Sequence, residues 1–178
     1  MLFFCFHRDR PDSEPLREAL TEDHWSYMDK FELIARGPTF AEDGETPTGS
    51  VHIVDVPDVA AARAFVFDEP VYQAGGFRDV LLRRWDNTLG RTMWDFPGGR
   101  DGTDRYLVLG LGVGEPADLE VPEGDLIAYG PLWSDDGSQW VGTAALVRAD
   151  DADSARAVLT AGRYADVEVR SWEFGGRR

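Results

Sequence analysis

The pattern of apolar and polar positions in the first half of the chain predicts alternating strands and helices. An aromatic run over 1–6 is typical of a strand. Apolar residues then recur at steps of three or four over 14–32, which predicts an amphipathic helix with His24 on or beside its apolar stripe. The pattern then predicts a short apolar run at 33–35 and a strand at 50–56. A helix at 57–67 follows, which ends before proline, and a closing strand at 80–85 completes the unit. This order, β-α-β-β-α-β, is that of a ferredoxin-like unit.

The second half repeats this pattern. The segment Leu33-Ile34-Ala35-Arg36-Gly37-Pro38 returns as Leu126-Ile127-Ala128-Tyr129-Gly130-Pro131, at an offset of 126 − 33 = 93 residues. The same offset relates further identical pairs in the following strand and helix, among them Gly49/Gly142, Val54/Val147, Asp58/Asp151 and Ala62/Ala155. We interpret this as an internal duplication. It divides the chain into a first unit at 1–86, a linker at 87–104, and a degenerate second unit at 105–178 whose first helix is truncated.

The predicted units each leave one surface uncovered. A four-stranded sheet with both helices on one face has a second apolar face that another layer must cover. Two such units in one chain can cover each other, sheet against sheet, as a dimer would do for a single copy. We therefore predict an α+β fold in which the chain is its own pseudo-dimer, and further self-association stays open.

Charge and cysteine content exclude several classes of partner. The net charge is −15, with 33 acidic residues against 18 basic ones, so the surface repels nucleic acid and anionic lipid. The single cysteine, Cys5, cannot form an intramolecular disulfide, and its apolar neighbours favour a buried thiol over a nucleophile. The apolar stretch at 1–6 is too short for a signal peptide or a spanning helix. A cytoplasmic protein that binds a small molecule is the expectation.

Several features taken together resemble the YCII-related family. They are the aromatic first strand, His24 midway along the first helix, the Arg36-Gly37-Pro38 stretch, the Gly49-Ser50 entry to the third strand, and the segment from Asp68 through Pro70 to Trp85. The resemblance covers 1–86 well and 105–178 as a degenerate copy. It implies ferredoxin-like units that pair as a dimeric α/β barrel, with a His–Asp pair in a cleft of each unit. Carried over, that pair is His24 and Asp68, although the family's Asp directly precedes proline and Glu69 stands between them here.

Two interpretations of the His24–Asp68 pair remain open. A carboxylate that accepts a hydrogen bond from an imidazole fixes its tautomer and raises its basicity, which suits acid–base catalysis. A core histidine capped by a carboxylate at a helix end is the structural alternative. At the offset of 93, Asp68 corresponds to Ala161, and His24 has no counterpart because its helix is truncated. We therefore expect one site, in the first unit.

Three further residues are candidates for substrate binding. Ser50 can orient a polar group, although a hydroxyl at a strand edge is equally common. Arg36 can bind a carboxylate or a phenolate, with a surface salt bridge as the alternative. Trp25 can wall an aromatic pocket or simply belong to the core. His7 and His52 have no ligand cluster around them in the sequence, so no metal and no cofactor are predicted.

The leading hypothesis is a cofactor-independent acid–base enzyme, of the lyase, isomerase or dehydrohalogenase kind. His24 would move a proton on a small cyclic or phenolic substrate, and Asp68 would orient His24. A protein that binds a small molecule without converting it is the first alternative. A cyclase or monooxygenase of secondary metabolism is the second, by analogy of fold alone.

Overall fold

Eight antiparallel strands close into a single barrel in the computed structural model, which describes residues 1–177. The strands follow one another around the barrel in the order β1-β3-β2-β8-β5-β7-β6-β4. In the first half they are β1 (Leu2–Asp9), β2 (Glu32–Phe40), β3 (Pro47–Asp55) and β4 (Phe77–Trp85). In the second half they are β5 (Arg105–Leu111), β6 (Asp125–Trp133), β7 (Trp140–Arg148) and β8 (Asp166–Trp172).

Within residues 1–177, five helices lie on the outside of this barrel. In the first half they are α1 (Glu14–Ala19), α2 (Thr21–Met28), α3 (Val59–Phe67) and α4 (Pro70–Gln73), and in the second half α5 (Ala152–Arg156). A 3-10 turn at Met93–Asp95 lies in the connection between the halves. The two-unit α+β architecture is thus confirmed. Within residues 1–177, no helix is long and apolar enough to cross a bilayer.

Alternation along the strands separates two kinds of core. In β1, Phe4 and Phe6 face a shared barrel interior, whereas Phe3 and Cys5 face the helices of the first half. The burial predicted for Cys5 is confirmed, and burial raises the pKa of its thiol. Both halves contribute to the barrel interior, which includes Trp85, Leu107, Leu109, Leu132, Leu146 and Trp172. The apolar sheet faces that the sequence leaves uncovered are therefore buried against each other.

The repeated Gly-Pro segments lie where each half crosses the other. The segment after β8 runs along β2: the Glu173 N–H donates to the Pro38 carbonyl at 3.2 Å, and the Gly175 N–H donates to the Arg36 carbonyl at 3.0 Å. After β4, the Asp86 N–H donates to the Pro131 carbonyl at 3.2 Å, and that of Thr88 to the Tyr129 carbonyl at 3.0 Å. The two crossings are equivalent under the internal duplication.

Glycine is required at both crossings. A Cβ placed on Gly37 would lie 1.9 Å from the Glu173 carbonyl oxygen, and one on Gly130 would lie 1.7 Å from that of Asp86. Neither distance is possible for real atoms, so the backbones would have to move apart. This close approach explains why the chain carries the glycine twice.

Two local predictions are wrong in detail. The helix expected over 14–32 breaks at Leu20 into α1 and α2. The strand expected to stop at Gly37-Pro38 continues to Phe40. Pro38 pairs opposite Ser50, and its carbonyl accepts a hydrogen bond from Glu173 in the crossing segment, the residues that follow β8. The residues that were expected to end a strand therefore hold the two halves together.

Replacing Gly37 or Gly130 with alanine is expected to lower the free energy of unfolding by roughly 2 kcal/mol or more, because backbone must be displaced. Gly44→Ala is the matched control, because an added Cβ at Gly44 meets nothing within 4 Å. Its φ is +70°, so only backbone strain is expected, which lowers the free energy of unfolding by about 1 kcal/mol. Urea denaturation measures all three variants. Equal losses in the three would contradict the role given to the crossings.

Candidate active site

A cavity of about 560 Å³ lies outside the barrel, between the helices α1 and α2 and the outer face of β2 and β3. Its walls include His24, Trp25, Arg36, Ser50 and His52. The segment after β8 supplies one side, because Phe174, Gly175 and Gly176 also line it. Both halves of the chain therefore build this pocket.

His24 is paired with a buried carboxylate. Its Nδ1 lies 2.7 Å from Oε1 of Glu69, whose side chain is fully buried, whereas the His24 side chain retains 15% exposure. The other oxygen of Glu69, Oε2, accepts the Tyr72 N–H at 2.7 Å and so caps α4. One carboxylate thus orients the imidazole and begins a helix.

Asp68 does not occupy the position predicted for it. Asp68 is exposed at the end of α3, and the acid that contacts His24 is Glu69. The proline explains the shift, because Pro70 forces extended backbone on the residue before it, and Glu69 has φ −66° and ψ 131°. That geometry turns Glu69 back toward α2. The acidic residue directly before proline, rather than the first acid after the helix, forms the pair.

The charge state of Glu69 decides the tautomer of His24. Burial by itself raises the pKa of Glu69, but the hydrogen bond and charge of His24, with the N–H groups of Tyr72 and Val71, hold it below the ordinary value. An ionised carboxylate can only accept, so His24 Nδ1 carries the proton that is shared with it. Nε2 is then the His24 atom that can accept or release a proton.

Arg17 organises the floor of the pocket. Its Nη1 donates to Asp9 Oδ2 at 2.7 Å, and its Nη2 donates to the Ser50 hydroxyl at 2.6 Å. Burial raises the pKa of Asp9, an effect that the charge of Arg17 partly offsets. Ser50 is therefore held with its oxygen accepting from Arg17, which leaves its own proton for another acceptor.

Arg36 and Trp25 form the side of the pocket next to the crossing segment. Arg36 donates from Nη1 to Asp29 Oδ1 at 3.0 Å. The guanidinium of Arg177 lies 5.6 Å from the Trp25 ring centre and donates to the Ser26 hydroxyl at 3.1 Å. The structure thus brings His24, Ser50, Arg36 and Trp25 to one pocket, and leaves Asp68 outside it.

Two further histidines continue inward from His24. The ring centres of His24 and His52 are 5.4 Å apart, and those of His52 and His7 are 5.7 Å apart. Burial, with the charge of His24, lowers the pKa of His52 well below its ordinary value. Burial likewise lowers the pKa of His7 to about 4, although the Glu69 charge and the Val66 carbonyl act in the opposite direction. Both inner rings are therefore neutral near pH 7. Within residues 1–177, no three acidic, histidine or cysteine side chains are grouped to hold a metal ion.

The equivalent position in the second half is filled. Gly110 and Thr143 form the register pair that corresponds to His7 and Ser50. The Tyr164 ring lies against Gly110, where an added Cβ would be 2.6 Å from it. The Tyr164 hydroxyl donates to Asp118 Oδ2 at 2.7 Å and lies 2.9 Å from the Thr143 oxygen. Hydrogen-bonded aromatic packing thus replaces the histidines.

Comparison with known proteins identifies a family domain in the first half of the chain. The family model described as the YCII-related domain matches residues 1–86. Residues 1–86 are a YCII-related domain. An uncharacterized protein of Haemophilus influenzae is 28% identical over 92 residues, which cover 47% of this chain and 94% of that protein.

Two solved structures resemble the chain as well. The chain is similar over about half of its length to 5-chloro-2-hydroxyhydroquinone dehydrochlorinase from Burkholderia phenoliruptrix, solved with 2,5-dihydroxybenzoquinone. That protein is 27% identical and covers 51% of this chain and 99% of its own, with a TM-score of 0.46. A Lactobacillus acidophilus structure with a provisional monooxygenase assignment covers 98% of this chain and 97% of its own at 6% identity, with a TM-score of 0.53. That last likeness concerns the fold alone.

Three site residues were missed by sequence reasoning, and each has a recognisable pattern. Glu69 is marked by the proline that follows it. Arg17 would lie on the same face as His24 if the predicted helix were continuous, since 17, 21 and 24 are separated by steps of four and three. His52 is two positions from Ser50 on the same strand, so both side chains point to the same face.

The neutral inner histidines predict acid sensitivity. The pKa of His7 is about 4 in the fold, against an ordinary value of 6.5, so between these values the unfolded chain binds a proton that the folded chain does not. Stability therefore falls as the pH falls through this window, by roughly 2 kcal/mol from His7 alone between about pH 7 and about pH 5.

Urea unfolding of the parent and of His7→Leu at both pH values measures this loss. The variant is expected to lose less stability on acidification, because it lacks the contribution of His7 and keeps only that of His52. An identical decrease in the two would show that His7 titrates normally in the folded state.

Proposed function

We propose that this protein is an acid–base enzyme that moves a proton on a small cyclic or phenolic substrate bound in the pocket beside His24. The observation that carries the proposal is the 2.7 Å contact between His24 Nδ1 and the fully buried Glu69 carboxylate, at the wall of a 560 Å³ cavity. Isomerisation, elimination and loss of a halide all need such a transfer, so the reaction class is a lyase, an isomerase or a dehydrohalogenase.

The chemistry assigned to each residue follows from its contacts. His24 Nε2 takes a proton from the substrate, and the imidazolium that forms is stabilised by Glu69. Glu69 is a positioning residue, because it acts through His24. Trp25, Phe40 and Phe174 give the pocket aromatic walls, which suits a flat ring.

Proton exchange tests the proposal without knowledge of the natural substrate. A panel of cyclic ketones, hydroxylated quinones and chlorinated hydroquinones is incubated with the parent in D₂O, and NMR follows deuterium entering the ring. Chloride release is measured in parallel. His24→Gln is expected to slow the exchange by about 100-fold or more, since general-base assistance contributes at least that much. Undiminished exchange in His24→Gln would remove this residue from the chemistry.

A matched pair of acid-to-amide variants separates Glu69 from Asp68. Glu69→Gln is expected to lower the exchange rate by about tenfold or more and to shift the pH profile of the remaining activity, because the imidazole loses its charged partner. Asp68→Asn removes an exposed carboxylate one residue away and is expected to stay within about threefold of the parent. A large loss of the exchange rate in Asp68→Asn with little loss in Glu69→Gln would restore the pairing expected from the sequence.

The same panel also tests the alternative of a binding protein. Retention of a panel compound without deuterium exchange or chloride release would favour a protein that binds a small molecule without converting it.

A further inference from the structure

Arg36 holds an unpaired hydrogen-bond donor in the wall of the pocket. Its side chain retains only 7% exposure, and its Nη1 donates to Asp29. Its Nη2 is buried and has no hydrogen-bond partner within residues 1–177. A buried guanidinium nitrogen without a partner is costly, so its presence calls for an explanation.

The surroundings of the guanidinium leave one nitrogen for a ligand. The Nε side is covered by the crossing segment, since a Cβ added to Gly176 would lie 2.5 Å from Nε. The Nη1 side is occupied by Asp29. The fork of parallel N–H groups on Nε and Nη2, which suits a carboxylate, is therefore not available, whereas Nη2 itself has no partner within residues 1–177. Nη2 alone suits a single oxygen atom.

The charge of Arg36 is incompletely balanced. Its partner Asp29 is 45% exposed and also pairs with Arg177 at 3.3 Å, so one carboxylate serves two guanidiniums. His52 lies directly opposite Arg36 in the strand register and is neutral. Nη2 thus belongs to a guanidinium whose charge is only partly neutralised by its ion-pair partner, which favours a ligand atom with negative charge.

The second half of the chain provides an internal comparison. Tyr129 and Ala145 form the register pair that corresponds to Arg36 and His52. The Tyr129 hydroxyl donates to the Asp118 carbonyl at 2.7 Å, so the residue in this position has its hydrogen bond satisfied inside the protein. The unpaired donor occurs in the half with the open pocket and is absent from the equivalent position in the filled half.

We infer that Arg36 Nη2 binds one negatively charged oxygen of a small ring, so that the substrate class of this site is a phenolate or a ring enolate. The inference deepens the proposed function and rests on it only for the proton transfer. In that transfer the ring C–H bond breaks and its proton goes to His24 Nε2. The electron pair of that bond forms a C=C bond, and the carbonyl π pair moves onto the oxygen, which becomes the oxyanion at Arg36. In the reverse direction His24 returns the proton to carbon.

4-Nitrophenol serves as the probe, because it ionises near neutral pH and its anion absorbs visible light. The pKa of the bound probe is measured by absorbance with the parent protein in excess. The parent is expected to lower this pKa by about one unit, which is an approximately tenfold preference for the phenolate. If the probe does not bind to the parent, or binds with an unchanged or raised pKa, this measurement overturns the inference without any variant.

Three variants assign the effect to Arg36. Arg36→Gln is expected to abolish or reverse the shift while binding of the neutral analogue 4-nitroanisole stays within about threefold, which checks that the pocket is intact. Arg36→Lys keeps the charge and is expected to retain part of the shift. Arg63→Gln is the control, since it removes the same charge from a side chain that is 58% exposed and paired with Asp135. A full shift in Arg36→Gln, or an equal loss in Arg63→Gln, would show that Arg36 does not hold the oxyanion.

The two proposals fail in different experiments. His24→Gln is expected to shift the probe pKa as the parent does, because His24 is not the group that holds the oxygen. A lowered probe pKa without any proton exchange in the parent would reject the enzyme and keep the phenolate site. Proton exchange that survives in Arg36→Gln at the parent rate would reject the oxyanion role and keep the acid–base enzyme.

Discussion

At Gly37 and at Gly130 two backbones touch with no room for a side chain, and the rest of the structure depends on these two contacts. Each is made by the segment that leaves the last strand of the opposite half, so the halves hold each other by reciprocal crossings. Trp172 packs against Gly37 and Trp85 packs against Gly130, and both tryptophans are buried in the barrel interior. The strand pairing at each seam is short, with two residue pairs between β2 and β8 and two between β4 and β6. Backbone crossing and a shared apolar interior, more than long ladders of hydrogen bonds, therefore make one barrel from two units.

The crossings also decide where chemistry is possible. The segment that passes Gly37 goes on to line the pocket with Phe174, and its Gly176 covers one side of the Arg36 guanidinium. A YCII-related half by itself would lack this wall. Linking the halves in one chain keeps the wall in place at any protein concentration, as a short linker raises the effective concentration of a partner. It also frees the two halves to differ, which a symmetric pair of identical chains cannot do.

The sequence predicts the fold well because the fold is governed by patterns that repeat. The offset of 93 residues, the alternation in β1 and β3 and the positions of glycine and proline are all visible without coordinates, and the barrel follows from them. The site is predicted less completely. His24, Ser50, Arg36 and Trp25 line one pocket, but the acid that contacts His24 is one residue later than the predicted Asp68. The backbone turn before Pro70 decides which carboxylate faces the histidine, and one residue in that turn reverses the side-chain direction. The row formed by His24, His52 and His7 needs three separate elements to meet, which a local pattern does not reveal.

The contrast between the halves distinguishes a site from a scaffold in physical terms. In the second half, Tyr129, Tyr164 and Thr143 have their polar atoms hydrogen-bonded, and the space against the sheet is filled. In the first half, buried nitrogens of Arg36, His7 and His52 lack hydrogen-bond partners of good geometry within the described chain. Unsatisfied buried donors and neutral buried histidines lower stability, and the second half avoids both at the equivalent positions, where Tyr129, Gly110 and Ala145 stand. A duplication that keeps the costly arrangement in one copy and replaces it in the other is best explained if the costly copy binds a ligand. Under the proposed function, the aromatic walls and the unpaired Nη2 of Arg36 favour a small ring with one charged oxygen as that ligand.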